Sequence, residues 1–427
     1  MEYSYLFDLD ATITKKEILP ALADSIGIGD VMKKMTEKTM MGEIPFAESF
    51  SKRVEMLSVI PVSKAREIIA GIPLHEELVS FIKEHADRCY VVTGNLDVWI
   101  GGLMEKIGIS KDHCLCSKGR LDETGDKLLG IDDIIDKGRA IASIPHPFAA
   151  VGDGDNDAEM IASADIGIGF GAVRNVAMSL LNNATHAVYT EAKLCQLLRA
   201  IASKVSYPTD TDIKKTIVIS CAGMGTRLGV GCTKALVSVA GKPLLLRQLE
   251  LLKDYDDIRI VVGYQYEKVI EMVLGYRKDV TFVFNHNYKN TGTGDSFLKG
   301  AAHGRDMVVA LDGDLLVHPD DLNTVLECPD ECIGGTTPGT DNPVLMSVMI
   351  KEDGQEYVTE FSRQRGKYEW TGLMQMKKEH LGLTTGHVYF LLEPRLPMKM
   401  IFIRTREIDT MDDYKNAVRW IENGYKD

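Results

Sequence analysis

Two sets of residues in this chain have the types and spacing that phosphate chemistry needs. The first begins with Asp8 and Asp10, two apart in Phe7-Asp8-Leu9-Asp10-Ala11-Thr12. It continues with Thr93, Lys137, and the pair Asp153 and Asp157 in Gly152-Asp153-Gly154-Asp155-Asn156-Asp157. Carboxylates hold Mg²⁺, which prefers oxygen ligands and bridges well to phosphate. A lysine and a hydroxyl neutralise and orient phosphoryl oxygens. One carboxylate can attack phosphorus while another protonates the leaving oxygen and then assists water. Each residue alone reads first as structural or surface, and Asp8 with Asp10 as an acidic turn. The ordered set, with each member at the end of an apolar run or the start of a helix, is the stronger signal.

The second set lies downstream. Gly223, Gly225 and Gly229 punctuate a loop that also contains Thr226 and Arg227. Small residues let backbone N–H groups approach phosphates or a base closely. The loop is not a Walker motif, because no GK[ST] follows at the required spacing. Lys234 and Lys242, the latter in Gly241-Lys242-Pro243, add two positive groups. Asp314, in Asp312-Gly313-Asp314, and Asp409, in Glu407-Ile408-Asp409-Thr410, would hold Mg²⁺ against a triphosphate if they meet across the fold.

These residues need elements to position them. Alternate residues of a strand face the same way, so a departure from strand geometry just after Tyr5 to Phe7 is expected to bring Asp8 and Asp10 to one small site. Residues 13–67 read mainly as helices, with a broken apolar face carrying Met32, Met35, Met40, Phe46, Phe50, Val54 and Leu57 that Gly42 and Pro45 interrupt. Residues 90–93, 149–151 and 166–168 read as strands, and 137–144 and 192–202 as helices. Polar residues at strand ends suit a parallel α/β sheet. The stretch 203–212, with Pro208 and two Thr-Asp pairs, reads as a linker. The pattern then restarts, with strands at 216–220, 259–262, 280–284 and 307–311 and helices at 244–252 and 411–421. The expected fold is therefore α/β with two Rossmann-like domains. The first spans 1–205 with a helical cap insertion at about 14–75; the second, after a linker at 206–213, spans 214–427 with a mixed sheet flanked by helices.

Length supports this division, since 427 residues exceed one ordinary domain. The formal charge of -13 argues against a nucleic-acid surface. No basic leader precedes an apolar run, and no apolar run approaches spanning length, so a cytoplasmic protein without membrane insertion is expected. Eight cysteines without a second pair to complete a zinc cluster read as reduced thiols. Self-association into a homo-oligomer is left open.

The first set resembles the haloacid dehalogenase superfamily of phosphatases, and more narrowly phosphoserine phosphatase, over about residues 3–200. The resemblance implies Asp8 as nucleophile and Asp10 as acid/base. Thr93 and Lys137 would hold phosphate, and Asp8, Asp10, Asp153 and Asp157 would form the Mg²⁺ site. It also implies a substrate pocket of Glu17, Met40, Phe46, Arg53, Gly94 and Asn95. The chain departs from that pattern in Thr93, where the family commonly has Ser, and in a short interval between Lys137 and Asp153.

The second set, over about 214–425, is similar to nucleotidyltransferases that activate sugar phosphates and alcohol phosphates. That resemblance implies a nucleotide held by the glycine loop, Arg227, Lys234 and Lys242, with Mg²⁺ on Asp314 and Asp409. Glu369-Trp370-Thr371-Gly372 and the Glu-Ile-Asp ending resemble phosphocholine and 2-aminoethylphosphonate cytidylyltransferases. They imply CTP as the nucleotide and Trp370 as a wall for a quaternary amine. Another nucleoside triphosphate, inositol 1-phosphate or a sugar phosphate as acceptor, and a catalytically silent regulatory domain remain the alternatives. The expected chain is thus a bifunctional enzyme acting on small phosphorylated or phosphonylated metabolites.

Overall fold

The computed structural model describes residues 2–40, 43–203, 215–225, 229, 231–384 and 386–426. The side chains of Met40 and Phe46 lie outside what is described, as do Thr226, Arg227 and the expected linker at 206–213. The chain divides into two compact units, Met1–Ala202 and Ser203–Asp427. Each is a Rossmann-like α/β fold.

The first unit is built on seven strands: β1 Ser4–Phe7, β2 Cys89–Leu96, β3 Cys114–Leu121, β4 Leu128–Asp133, β5 Phe148–Gly152, β6 Ile166–Phe170 and β7 His186–Val188. Their order is β7-β6-β5-β1-β2-β3-β4. All neighbours are parallel except the β3–β4 hairpin. Tyr5, Leu6 and Phe7 are fully buried, as expected of a central parallel strand covered on both faces. The chain runs outward from β1 towards β2 on one side and from β5 towards β7 on the other. A crevice therefore opens beyond the C-terminal end of β1, which is where ligands bind in such sheets. The β3–β4 hairpin has no counterpart in the sequence reading. Its half-exposed, charged residues, Lys118 and Arg120 against Asp132 and Asp133, do not show the apolar alternation that marks a strand.

Between β1 and β2 the chain forms five helices: α1 Ile18–Asp24, α2 Gly29–Met40, α3 Phe46–Leu57, α4 Val62–Ala70 and α5 Glu76–Glu84. Pro45 and Pro61 precede α3 and α4, positions where a missing N–H costs nothing. Met32, Phe50, Val54 and Leu57 are buried and join the core that includes Phe7 and Trp99. Burying each such side chain stabilises the unit by roughly 1.5–3 kcal/mol, which anchors the cap above the crevice.

The second unit has a nine-stranded mixed sheet. Its parallel half contains β8 Lys215–Cys221, β11 Ile258–Val262, β12 Thr281–Phe284 and β13 Met307–Asp312. Its other half contains β15 Cys332–Thr336, β16 Leu345–Ile350, β17 Glu356–Ser362, β18 Tyr368–Lys377 and β19 Met398–Phe402. The order is β15-β19-β17-β16-β18-β13-β8-β11-β12, with β18 antiparallel to β13. Two small ribbons stand apart: β9 Ser238–Val239 with β10 Lys242–Pro243, and β14 Leu315–Val317 with β20 Thr405–Glu407. Asp312 pairs in register with Ser220, so the acidic end of β13 lies beside the start of the glycine loop. Among the described residues no helix is long and apolar enough to cross a membrane.

Candidate active sites

In the first unit the site starts where β1 stops. Asp8 N donates to Val151 O at 2.9 Å, which ties the strand end to β5. The chain then turns through Ala11 at φ 56°. Thr14 Oγ1 accepts from Ala11 N at 3.2 Å and donates to Leu9 O at 3.1 Å, closing that turn. The turn gives Asp8 and Asp10 different surroundings. Lys137 Nζ lies 2.5 Å from Asp8 Oδ1 and 2.5 Å from Asp157 Oδ1. Asp157 Oδ2 accepts from Asp153 N at 3.1 Å and Gly154 N at 2.9 Å. A Cβ at residue 152 would fall 2.7 Å from the Asp157 carboxyl, so this close approach requires glycine.

Asp10 faces the root of the cap. Its Oδ1 accepts from Ile18 N at 2.8 Å and its Oδ2 from Asn95 Nδ2 at 2.9 Å. Thr93 Oγ1 accepts from Asn95 N at 3.2 Å and from Asn95 Nδ2 at 3.0 Å. With its lone pairs occupied, the Thr93 hydroxyl has its proton left to donate to a ligand. These groups open on a cleft of about 260 Å³, lined also by Gly94, Glu17, Arg53 and Arg174, with Leu19, Pro20 and Phe50 as its apolar side.

Oxygens of Asp8, Asp153 and Asp157 lie within 4.8 Å of one another, and all three residues are buried. The ligands of one Mg²⁺ sit at about 2.0–2.1 Å from the ion, so small rotations gather these oxygens around one ion. Burial raises the Asp8 carboxyl well above its ordinary value, as does Asp157, against the pull of Lys137. Burial raises Asp153 to about 7 despite Arg174. Burial works against the Lys137 charge, but Asp157 and Asp8 outweigh it and hold the ammonium charged. Carboxylates this crowded and dry are poised for a divalent cation. Asp10, expected among the metal ligands, stands outside this cluster.

In the second unit, β14–β20 pairing places Leu315 opposite Glu407. Asp314, Glu407 and Asp409 thereby come within 4.8 Å of one another. Lys234 Nζ reaches Asp314 Oδ2 at 2.6 Å and also bonds Asp409. Burial disfavours this ammonium, yet Asp314 and Asp409 raise its pKa overall. Three carboxylates against one ammonium leave the cluster anionic and composed of hard oxygen donors, which suits Mg²⁺. Asp312, partly buried and lining the same groove, has its carboxyl raised well above normal by desolvation, Asp314 and Glu407.

A groove of about 1100 Å³ runs from Gly223, Gly225 and Lys234 past Asp314 and Asp409 to Trp370. Trp370 meets Phe361 edge-on at 6.0 Å, and Phe361 lies 5.4 Å from Tyr389. Lys242 is placed elsewhere: its ammonium pairs with Glu250 at 2.6 Å on the surface, and it does not line the groove. Gly229 does not line it either. The sequence reading did not assign Arg174, Asp312 or Glu407. The last two lie within motifs it did single out, whereas nothing local marks Arg174.

Residues 5–162 match the haloacid dehalogenase-like hydrolase family, and residues 217–376 match the MobA-like NTP transferase domain. The chain thus carries a haloacid dehalogenase-like hydrolase domain followed by an NTP transferase domain. Over 180 residues the chain is 36% identical to a phosphoserine phosphatase of Archaeoglobus fulgidus, covering 39% of this chain and 52% of that protein. The chain thus spans about half the length of that relative. It is 32% identical over 178 residues to a phosphoserine phosphatase of Methanocaldococcus jannaschii, covering 39% of this chain and 83% of that one. The chain belongs, through its first domain, to the haloacid dehalogenase-like hydrolases. A CTP:phosphocholine cytidylyltransferase structure from Streptococcus pneumoniae aligns with 49% of this chain and 100% of its own, at 21% identity and a TM-score of 0.40.

Proposed function

We propose that the first domain is a Mg²⁺-dependent phosphomonoesterase for small metabolites, working through an aspartyl-phosphate. The observation that carries this reading is Asp8, held at 2.5 Å by Lys137 beside Asp153 and Asp157 and lining a cleft with Asp10 and Thr93. Asp8 attacks phosphorus, and the P–O bond to the alcohol breaks as Asp10 supplies the proton to the leaving oxygen. Asp10, now a carboxylate, takes a proton from water, which attacks the acyl phosphate, releases phosphate and restores Asp8. Thr93 and Lys137 donate to the phosphoryl oxygens throughout. Asp8, Asp153 and Asp157 would hold Mg²⁺, whose chemistry there is charge neutralisation of the phosphoryl group.

The second domain, in our reading, is a CTP-dependent cytidylyltransferase that activates phosphocholine or 2-aminoethylphosphonate. The acceptor's phosphate or phosphonate oxygen attacks the α-phosphorus, and pyrophosphate leaves; no covalent enzyme intermediate is needed. Positioning and charge neutralisation by Lys234 and the cluster of Asp314, Glu407 and Asp409, which would hold Mg²⁺, supply the rate. Trp370 and Tyr389 line the groove with Phe361 packed against both, which supports a cationic acceptor, since aromatic faces attract ammonium groups. A pyrophosphate-release assay with CTP and UTP against phosphocholine, 2-aminoethylphosphonate, inositol 1-phosphate and glucose 1-phosphate tests this. Turnover confined to a neutral acceptor would refute the role of the aromatic wall.

A further inference from the structure

The residue before Trp370 holds a stretch of the groove's rim. β15 ends at Thr336 and β16 begins at Leu345, and both pair in register with Glu369 of β18. The connection 337–344 therefore leaves the sheet and returns to it beside one residue. It has no helix or strand of its own, and Gly339, Thr340, Asp341, Asn342 and Val344 line the groove. Glu369 is buried, and its carboxylate accepts from Gly339 N at 2.8 Å, from Thr340 N at 3.3 Å and from the Thr340 hydroxyl. Arg363 Nη1 donates to Asn342 O at 2.7 Å. Among the described residues these are the hydrogen bonds that 337–343 makes. Just beyond, Trp370 N donates to Val344 O at 2.8 Å and ties the end of the rim to the aromatic wall. A connection without ladder bonds takes its place from such tethers, and most of them end on one carboxylate.

We propose that Glu369 is a positioning residue for the acceptor. It holds the rim 339–342 beside Trp370, so acceptor affinity depends on it while nucleotide binding and the transfer step do not. The proposal rests on the reading above of a cytidylyltransferase whose acceptor lies against Trp370. The groups which that reading gives to the nucleotide and the metal stand on other elements. Gly223, Gly225 and Lys234 follow β8, and Asp314, Glu407 and Asp409 are gathered by the β14–β20 ribbon. None of them bonds to 337–343 among the described residues. Removing the Glu369 carboxylate therefore releases the rim and leaves those groups in place.

The test is pyrophosphate release by the full-length enzyme in Mg²⁺, first varying phosphocholine or 2-aminoethylphosphonate at saturating CTP, then varying CTP at saturating acceptor. Glu369→Ala should raise the acceptor KM by about tenfold or more, since it strips three hydrogen bonds from the rim. The KM for CTP and kcat should stay within about twofold of wild type. Glu369→Gln, which keeps one acceptor oxygen, should raise the acceptor KM less. Thr340→Val removes only the hydroxyl's bond, from an exposed residue, and should raise it by about threefold with the melting temperature unchanged. That variant carries the test if Glu369→Ala does not fold. An unchanged acceptor KM in a folded Glu369→Ala overturns the proposal, as does an unchanged value in Thr340→Val where Glu369→Ala does not fold. A parallel loss in kcat and in both KM values also overturns it, because that marks damage to the whole site. Wild-type turnover confined to another nucleotide or to a neutral acceptor refutes the cytidylyltransferase reading instead, and the same KM split, measured on that pair, then decides the role of Glu369. If no acceptor gives pyrophosphate, both fall.

Discussion

Gly372 offers a clean test of how the nucleotidyltransferase site is built. It sits at φ 83°, and a Cβ there would lie 2.3 Å from Oδ2 of Asp312 and 2.8 Å from its Cγ. Alanine in the left-handed region costs about 1–2 kcal/mol. Forcing a side chain against a packed neighbour costs about 1–3 kcal/mol more. Gly354 provides the control, because it has φ 75° but nothing within 4 Å of its would-be Cβ. Gly354→Ala therefore carries only the first cost, and Gly372→Ala carries both, about 2–5 kcal/mol in all. At roughly 2–4 °C per kcal/mol for a unit of this size, calorimetry should show Gly372→Ala melting several degrees below Gly354→Ala. Because Asp312 must move and Asp314 lies two residues on, pyrophosphate release should fall in Gly372→Ala and stay unchanged in Gly354→Ala. Equal melting shifts with equal activities would refute the claim that Asp312 is what demands glycine at 372.

Three further outcomes are expected. Asp8→Asn should abolish phosphate release while leaving nucleotidyl transfer intact, which assays of both reactions on one preparation would show. Lys234→Met leaves Asp314, Glu407 and Asp409 without their ammonium; since these groups are only partly buried, a loss of about 1–3 kcal/mol is expected. Mg²⁺ should raise the melting temperature of that variant more than that of the wild type. His303 is held down to about 4 by burial, Arg259 and Lys378. A lowered folded-state pKa means the unfolded chain binds the proton more tightly, so this contribution is whole above about pH 6.5 and is lost as pH falls towards 4. Denaturant titrations should show on the order of 2 kcal/mol less of this loss in His303→Asn between pH 6.5 and 4.5.

Much of both sites could be read from sequence because their residues follow buried strands. Asp8, Thr93 and Asp153 each end an apolar run, and a parallel sheet brings such ends to one edge. The two α/β folds were legible for the same reason. The charged β3–β4 hairpin was not, since its residues show no periodicity to mark them.

The sequence by itself marked two regions suited to phosphate chemistry, because carboxylates, hydroxyls, lysines and glycines collect where apolar runs end. Only the tertiary structure decided which of the chemically suitable residues come together. Lys234 and Lys242 look alike in sequence, yet one lies between Asp314 and Asp409 while the register of a short ribbon turns the other to Glu250. Asp10 has the right charge for a metal ligand, but the turn at Ala11 points it to Asn95 instead. Glu407 joins its cluster through strand pairing, and Arg174 reaches Glu17 across 157 residues. An ion pair depends on distance in space, and the fold alone sets that distance.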